Sequence, residues 1–101
     1  MDKELRDKII KIVNNHDPVH LIEIGAPMDE YFGEISSIQV LLAQYPNITE
    51  VEIEGALKKL FSEKFSPTLV AKNSAIYELM AHDLFLAQNA SYRNDNMGNV
   101  N

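Results

Sequence analysis

The chain has 101 residues, of which 46% are hydrophobic, and it carries a formal net charge of −6. A chain of this size typically folds as one domain with a single core that buries roughly two-thirds of the unfolded surface. It contains no cysteine, which excludes a disulfide framework and metal sites built on thiolates. No apolar run approaches the ~18 residues of a membrane span, and we expect a cytoplasmic protein.

Charge is distributed unevenly along the chain. Between Ile12 and Leu57 there is no Lys or Arg. The acidic residues of this segment are Asp17, Glu23, Asp29, Glu30, Glu34, Glu50, Glu52 and Glu54. A negative field of this kind repels nucleic acid and anionic membranes and speeds the approach of basic proteins. The distribution therefore predicts a basic protein partner, without nucleic acid or membrane partners. The alternative is an ordinary acidic domain whose carboxylates serve helix starts.

The first element is predicted to be an amphipathic helix over about 2–15. Its apolar positions, at i, i+4, i+7 and i+8, are Leu5, Ile9, Ile12 and Val13. Pro18 disfavours helical dihedrals at Asp17, so this helix ends before them.

A short helix is predicted next, from Asp17 to Gly25. Asp17 is placed as its N-cap and Pro18 at its first position, where a missing N–H costs nothing. Gly25 ends it by adopting a left-handed conformation, and Pro27 prevents it from resuming.

A long helix is predicted to begin near Asp29 or Glu30, because carboxylates suit the positive end of a helix. Its inward residues, at i, i+4, i+7, i+11 and i+14, are Tyr31, Ile35, Ile38, Leu42 and Tyr45. The following helix opens with Thr49 and Glu52, the spacing of a capping box. Its predicted inner face comprises Ile53, Ala56, Leu57, Leu60, Phe61 and Phe65.

The last helical region is predicted to start at Ser66-Pro67 and to be interrupted near Asn73-Ser74. Its predicted face consists of Leu69, Asn73, Ile76, Tyr77, Met80, Leu84 and Ala87. A single core does not easily cover Leu79, Phe85 and Leu86 as well, so this helix is either deeply buried or packed against a second chain. We predict the second chain, either a partner or, as the simpler case, another copy in a homodimer. The polar segment 90–101 has no period and is predicted to be a disordered tail beyond a single helical domain at 1–89.

Catalytic chemistry is not indicated by any residue pattern. His16 and His20, with the acidic turn nearby, are residues of metal-binding type, but Pro18 separates them and prevents a helical i, i+4 zinc pair. No glycine-flanked nucleophile or phosphate-binding loop is present. We predict no enzyme activity, catalytic residue, cofactor or metal. The alternatives are a metal-dependent or other enzyme that uses His16, His20 and the acidic turn, or a structural or regulatory protein.

The segment DPVHLIEIGAPMDEYFGEI resembles the YugE-like family of small uncharacterised bacterial proteins, which are built from a few helices around the pattern D-P…L…G-x-P-x-D-E-Y-x-x-E-I. The matching residues are Asp17, Pro18, Leu21, Gly25, Pro27, Asp29, Glu30, Tyr31, Glu34 and Ile35. His16 departs from the tryptophan common in that family, and the segment after Ser66 is additional. The resemblance covers roughly Leu5 to Phe65 and implies a small helical fold without implying an activity.

The predicted fold class is therefore all-α, a bundle of four to five helices with mostly antiparallel neighbours around one core. The predicted function is a small acidic protein-binding module, of the type of an immunity protein that neutralises a basic bacterial toxin domain. The candidate partner-binding residues are Glu23, Asp29, Glu30 and Glu34. In the alternative interpretation, these residues have architectural roles in helix capping.

Overall fold

Helices make up nearly all of the part of the chain that the structure describes. The structure is a computed structural model that describes residues 3–19, 25 and 28–100, with side chains described at 3–19, 25 and 30–90. The helices are α1 (Lys3–His16), a 3-10 helix (Met28–Tyr31), α2 (Phe32–Gln44), α3 (Glu50–Lys64), α4 (Pro67–Lys72) and α5 (Ser74–Val100). No strand occurs within these ranges, and the predicted all-α class is confirmed.

Neighbouring long helices run antiparallel. Arg6, early in α1, donates a hydrogen bond to Gln39, late in α2, at 2.8 Å. On α3 and α5, the rings of Phe61 and Tyr77 have centroids 5.5 Å apart, whereas Glu50 at the other end of α3 contacts His82. Helix α5 packs against both α1 and α3. The four long helices therefore form an up-down bundle, as the sequence predicted.

One hydrophobic cluster lies at the centre of this bundle. Its fully buried large side chains come from every long helix: Ile9, Val13, Tyr31, Ile35, Ile38, Leu42, Ile53, Leu57, Phe61, Tyr77, Met80 and Leu84. Phe61 is its aromatic centre, with ring centroids 6.1 Å from Tyr31 and 5.9 Å from Phe65. The rings concentrate where α3 ends, so aromatic contacts dominate the core at this end of the bundle.

Two predicted helix starts are confirmed in detail. The Thr49 hydroxyl accepts from the Glu52 backbone N–H at 3.2 Å, and the Glu52 carboxylate accepts from the Thr49 backbone N–H at 3.0 Å. Ser66 caps α4 by accepting from the Leu69 backbone N–H at 3.4 Å, with Pro67 at the first helical position. The predicted interruption is also present, because Asn73 separates α4 from α5.

Two residues that were predicted to face the core are exposed. Tyr45 is 56% exposed, because α2 ends at Gln44 and the chain turns before the next inward position. Leu69 is 43% exposed, and Val70 takes the buried position instead. The predicted face had assumed one helical phase, but the break at Asn73 gives α4 a different phase from α5.

Two described residues after α1 have positive φ, Asp17 at 46° and Gly25 at 88°. The predicted end of α1 before Pro18 and the predicted left-handed glycine are both confirmed. The predicted N-cap role of Asp17 was wrong, because an N-cap residue has an extended backbone and Asp17 has a left-handed one. The Asp17 backbone N–H donates to the Val13 carbonyl at 2.9 Å and so ends α1. The short helix predicted between these two residues falls mainly on 20–24, outside the described residues.

The polar segment that was predicted to be a disordered tail continues α5 in the structure, with a helical backbone as far as Val100. The side chains of 91–100 lie outside the described part, and disorder of this segment in solution stays a prediction. No helix among the described residues is long and apolar enough to cross a membrane.

Candidate functional site

A concave feature of the described surface lies between α2 and α3, next to the turn that joins them. It is a cleft of about 650 Å³. Its lining residues are Leu41, Gln44, Tyr45, Pro46, Asn47, Ile48, Glu52, Gly55 and Ala56. A smaller cleft of about 160 Å³ shares Leu41 and Ala56 with it and continues along the same two helices as far as Ser37 and Leu60. We call the two together the α2–α3 groove.

Small residues on α3 leave room for the groove. At one end of the helix pair, Lys64 on α3 donates to the Glu34 carboxylate on α2 at 3.1 Å, and at the other end the turn over 45–49 joins the two helices. Between these ends α3 presents Gly55 and Ala56, which provide little side-chain volume. A Cβ added at Gly55 would meet nothing within 4 Å, so the space beside the α3 backbone is open at this position.

The groove has the length of a short helical segment. Its lining extends from Ser37 on α2 to Tyr45, the residue after that helix, about 12 Å at the helical rise of ~1.5 Å per residue. Its deeper walls are apolar, with Leu41 on one side and Ala56 on the other, while Gln44 lies at the exposed edge. An apolar floor with a polar rim is the usual composition of a protein-binding surface.

Among the lining residues of the α2–α3 groove, Glu52 is the one that carries a charge. The Thr49 backbone N–H and the Thr49 hydroxyl both donate to its carboxylate, at 3.0 and 2.9 Å. These bonds favour the ionised form and lower the pKa of Glu52 below its ordinary value. The rim of the groove therefore keeps a negative charge at neutral and mildly acidic pH.

The predicted partner-binding residues do not form one exposed acidic surface. Glu34 is 4% exposed and is paired with Lys64, which also donates to the Glu30 carbonyl at 3.2 Å. The expectation that Glu34 projects from the turn was therefore wrong: at this position on α2 it faces the end of α3. Glu30 is exposed, while Glu23 and the side chain of Asp29 lie outside the described residues.

Two histidine–carboxylate pairs join α5 to its neighbours. His16 at the end of α1 lies 2.8 Å from Asp83, and His82 lies 2.9 Å from Glu50 at the start of α3. The hydrogen bond to Glu50 and its charge, followed by the charge of Asp83, raise the pKa of His82. Since each pair bridges two helices, both serve the packing of α5. Sequence reasoning missed them because the partners are distant in the chain.

The alternative metal site is not assembled among the described residues, where no group of three or more His, Cys, Asp and Glu is placed to hold a metal ion. His16 is directed towards Asp83, and its predicted companions His20 and Glu23 lie outside the described part. Enzyme activity thus stays an untested alternative.

The predicted interface on α5 is only partly exposed. Leu79 is 55% and Leu86 is 51% exposed, and their i, i+7 spacing puts them on one face of the helix. Phe85 is partly buried and packs against the core, so less of it is open to a second chain. A homodimer through Leu79 and Leu86 stays a prediction.

The α2–α3 groove was not predicted from the sequence, although one signal for it was present. Gly55 stands in the middle of the predicted helix, where glycine is unfavourable by roughly 0.5–1 kcal/mol relative to alanine. Followed by Ala56, it leaves two neighbouring positions of α3 with little or no side chain.

Comparisons of the chain with protein-family models, curated proteins and solved structures found no match. The resemblance to the YugE-like family therefore stays a prediction that rests on the residues quoted for it.

Proposed function

We propose that this chain is a protein-binding module that engages a basic partner. The observation that supports it is the position of the α2–α3 groove within the chain. All of α2, and α3 as far as Leu57, belong to the segment without Lys or Arg. This apolar recess thus coincides with the segment that carries acidic residues and no Lys or Arg, a combination that suits apolar anchoring together with electrostatic steering.

Ion pairs reduce the number of acidic side chains that can attract such a partner. Glu34 is neutralised by Lys64, and Glu54 lies 2.8 Å from Lys58. Glu30 and Glu52 are exposed. The proposed binding surface is therefore centred on the groove and Glu52, with Glu30 as a further contribution to the long-range field.

In its more specific form, the proposal is an immunity-type inhibitor that covers a basic toxin or effector domain. It is supported by the small size and net charge of −6, both of which suit a module that acts by occupying the surface of a cationic partner. The immunity-type role is thus argued from the size and charge of the chain and not from a sequence motif.

The experiment is photo-crosslinking in cells from a position at the edge of the groove. A photoreactive amino acid replaces Gln44, and a matched protein carries it at Glu78, an exposed position on α5. We expect a basic protein to be crosslinked from Gln44 and not from Glu78. Its affinity for the purified chain should fall as salt increases, and Glu52→Gln should reduce that dependence while the glutamine preserves the capping box.

Two results would contradict the proposal. One is the same crosslinked proteins from both positions, and the other is a partner that is acidic or insensitive to salt. The immunity form has its own test, because co-expression of the chain should then restore growth to cells that are inhibited by the captured partner. A basic partner without toxicity would retain the binding function and reject the immunity form.

A further inference from the structure

We infer that the α2–α3 groove docks an amphipathic α-helix of the basic partner, whose apolar side chains enter the groove while a Lys or Arg on its flank pairs with Glu52. This inference rests on the proposed function and specifies the segment that the binding site recognises.

The shape of the groove favours a helix as its occupant. Its walls are two antiparallel helices, and a length of about 12 Å matches roughly two helical turns, the reach of anchors at i, i+4 and i+7. The distance between packed helices depends on the side chains at the contact, and small residues allow a third helix to approach closely. Ser37 on α2 and Gly55-Ala56 on α3 provide them, with no side chain in the space above Gly55.

Charge complementarity specifies the polar flank of that helix. Glu52 is the charged residue of the described lining, and its pairing with Thr49 holds the carboxylate in a fixed place at the rim. A basic side chain on the docked helix would meet a preorganised acceptor. An acidic helix would place like charges together, which disfavours it.

A second copy of the chain is a poorer occupant for the same reason. The exposed apolar face of α5 contains Leu79 and Leu86, and the exposed Glu78 directly precedes Leu79, while Asp83 is already paired with His16. Docking of that face would add the Glu78 carboxylate near Glu52 and would offer it no Lys or Arg. The groove therefore fits a cationic helix better than it fits α5 of another copy.

The probe is a synthetic amphipathic peptide of about 14 residues, with Leu at i, i+4 and i+7 and Lys on its other positions. A Leu/Glu peptide of identical pattern and a scrambled Leu/Lys peptide are the controls. The readouts are amide chemical shifts of the labelled chain and peptide affinity. We expect the Leu/Lys peptide to shift Gly55 and Ala56 and to bind more tightly than either control.

Three variants of the chain locate the binding. Gly55→Leu fills the groove from a position with open space around it, and should weaken the peptide by about tenfold or more, as expected for loss of one apolar anchor. Gly55→Ala is the matched control and should change affinity by less than about threefold. Gln44→Lys, at an exposed position, should weaken the Leu/Lys peptide and strengthen the Leu/Glu peptide, each by about threefold. Circular dichroism verifies the fold of each variant.

Equal affinity of wild type and Gly55→Leu would overturn the inference, as would equal binding of the Leu/Lys and Leu/Glu peptides or no binding of the Leu/Lys peptide. Self-association that Gly55→Leu abolishes would also overturn it, in favour of a second copy.

The affinity of the crosslinked basic partner for Gly55→Leu distinguishes failure of this inference from failure of the proposed function. If the basic partner still binds Gly55→Leu with unchanged affinity, only the helix-docking inference fails. If no basic partner exists, both fail.

Discussion

The hydroxyl of Tyr31 donates a hydrogen bond to the Asp17 carboxylate at 2.6 Å. The same hydroxyl lies 3.3 Å from the Val19 backbone N–H, which donates to it. Tyr31 is fully buried, so its ring packs in the core while its polar end holds the turn after α1 against the start of α2. The D-P and D-E-Y parts of the segment that resembles the YugE-like family are thus joined through Asp17 and Tyr31, which supports a structural role for these two residues. The N-cap of α2 is Tyr31, without a side-chain cap hydrogen bond, so capping of this helix by Asp29 or Glu30 at the N-cap position is not observed.

Replacement of this hydroxyl should destabilise the fold. Tyr31→Phe keeps the ring but leaves the Val19 N–H and the Asp17 carboxylate without that partner, and should lower the free energy of unfolding by about 1–3 kcal/mol. Urea denaturation measures the change. Tyr45→Phe, at an exposed tyrosine, is the control and should stay within about 0.5 kcal/mol of wild type. A Tyr31→Phe protein as stable as wild type would contradict this role.

Two glycines should respond in opposite directions to the same substitution. Gly25 has φ 88°, a region that costs other residues about 1–2 kcal/mol, so Gly25→Ala should destabilise by that amount. Gly55 is helical, and Gly55→Ala should stabilise by roughly 0.5–1 kcal/mol. A Cβ meets nothing within 4 Å at either position, so the contrast measures backbone conformation alone. Thermal or urea unfolding of the two variants side by side tests it, and equal shifts would refute the assigned conformations.

Stability should depend on pH through His82. The hydrogen bond and charge of Glu50 raise the pKa of His82 above its ordinary value of 6.5. The contribution of this pair is therefore complete below the unfolded pKa and is lost as pH rises through the folded pKa. His82→Gln should remove this loss, while Glu78→Gln on the same helix should preserve it. Urea midpoints at about pH 5.5 and about pH 8.5 measure the difference, and an unchanged pH dependence in His82→Gln would exclude the pair as its source.

Self-association, if it occurs through α5, should depend on Leu79 and Leu86. Replacing both with Glu should convert a dimer into a folded monomer, since each is more than half exposed. Val51→Glu, at a 78% exposed residue on α3, is the matched control and should leave the dimer intact. Phe85→Glu should instead destabilise the monomer, because Phe85 packs against the core. Sedimentation tests this, and a wild type that stays monomeric at high concentration ends the homodimer hypothesis.

The features predicted correctly from the sequence are those encoded by neighbouring residues. The capping box of Thr49 and Glu52 and the start at Ser66-Pro67 depend on spacings of a few residues, and both are present in the structure. Helical periodicity likewise identified Ile35 and Leu57 as core residues.

The features that were missed depend on residues far apart in the chain. Gln88 was assigned no role, yet it is 7% exposed and donates to the Leu42 carbonyl at 2.8 Å, which satisfies the end of α2. Glu34 was predicted to project from the turn, but it is paired with Lys64, 30 positions away in the chain. The residues next to Glu34 in the sequence do not indicate this contact. The α2–α3 groove is of the same kind, since it is defined by the separation of two helices.

The central claim, that the α2–α3 groove receives a basic amphipathic helix, is tested most directly by nuclear Overhauser effects between the isotope-labelled chain and the unlabelled Leu/Lys peptide. The account predicts effects from the peptide leucine methyls to the Leu41 methyls, the Gly55 α-protons and the Ala56 methyl. Effects to Leu79 and Leu86 on α5 in place of these would contradict it.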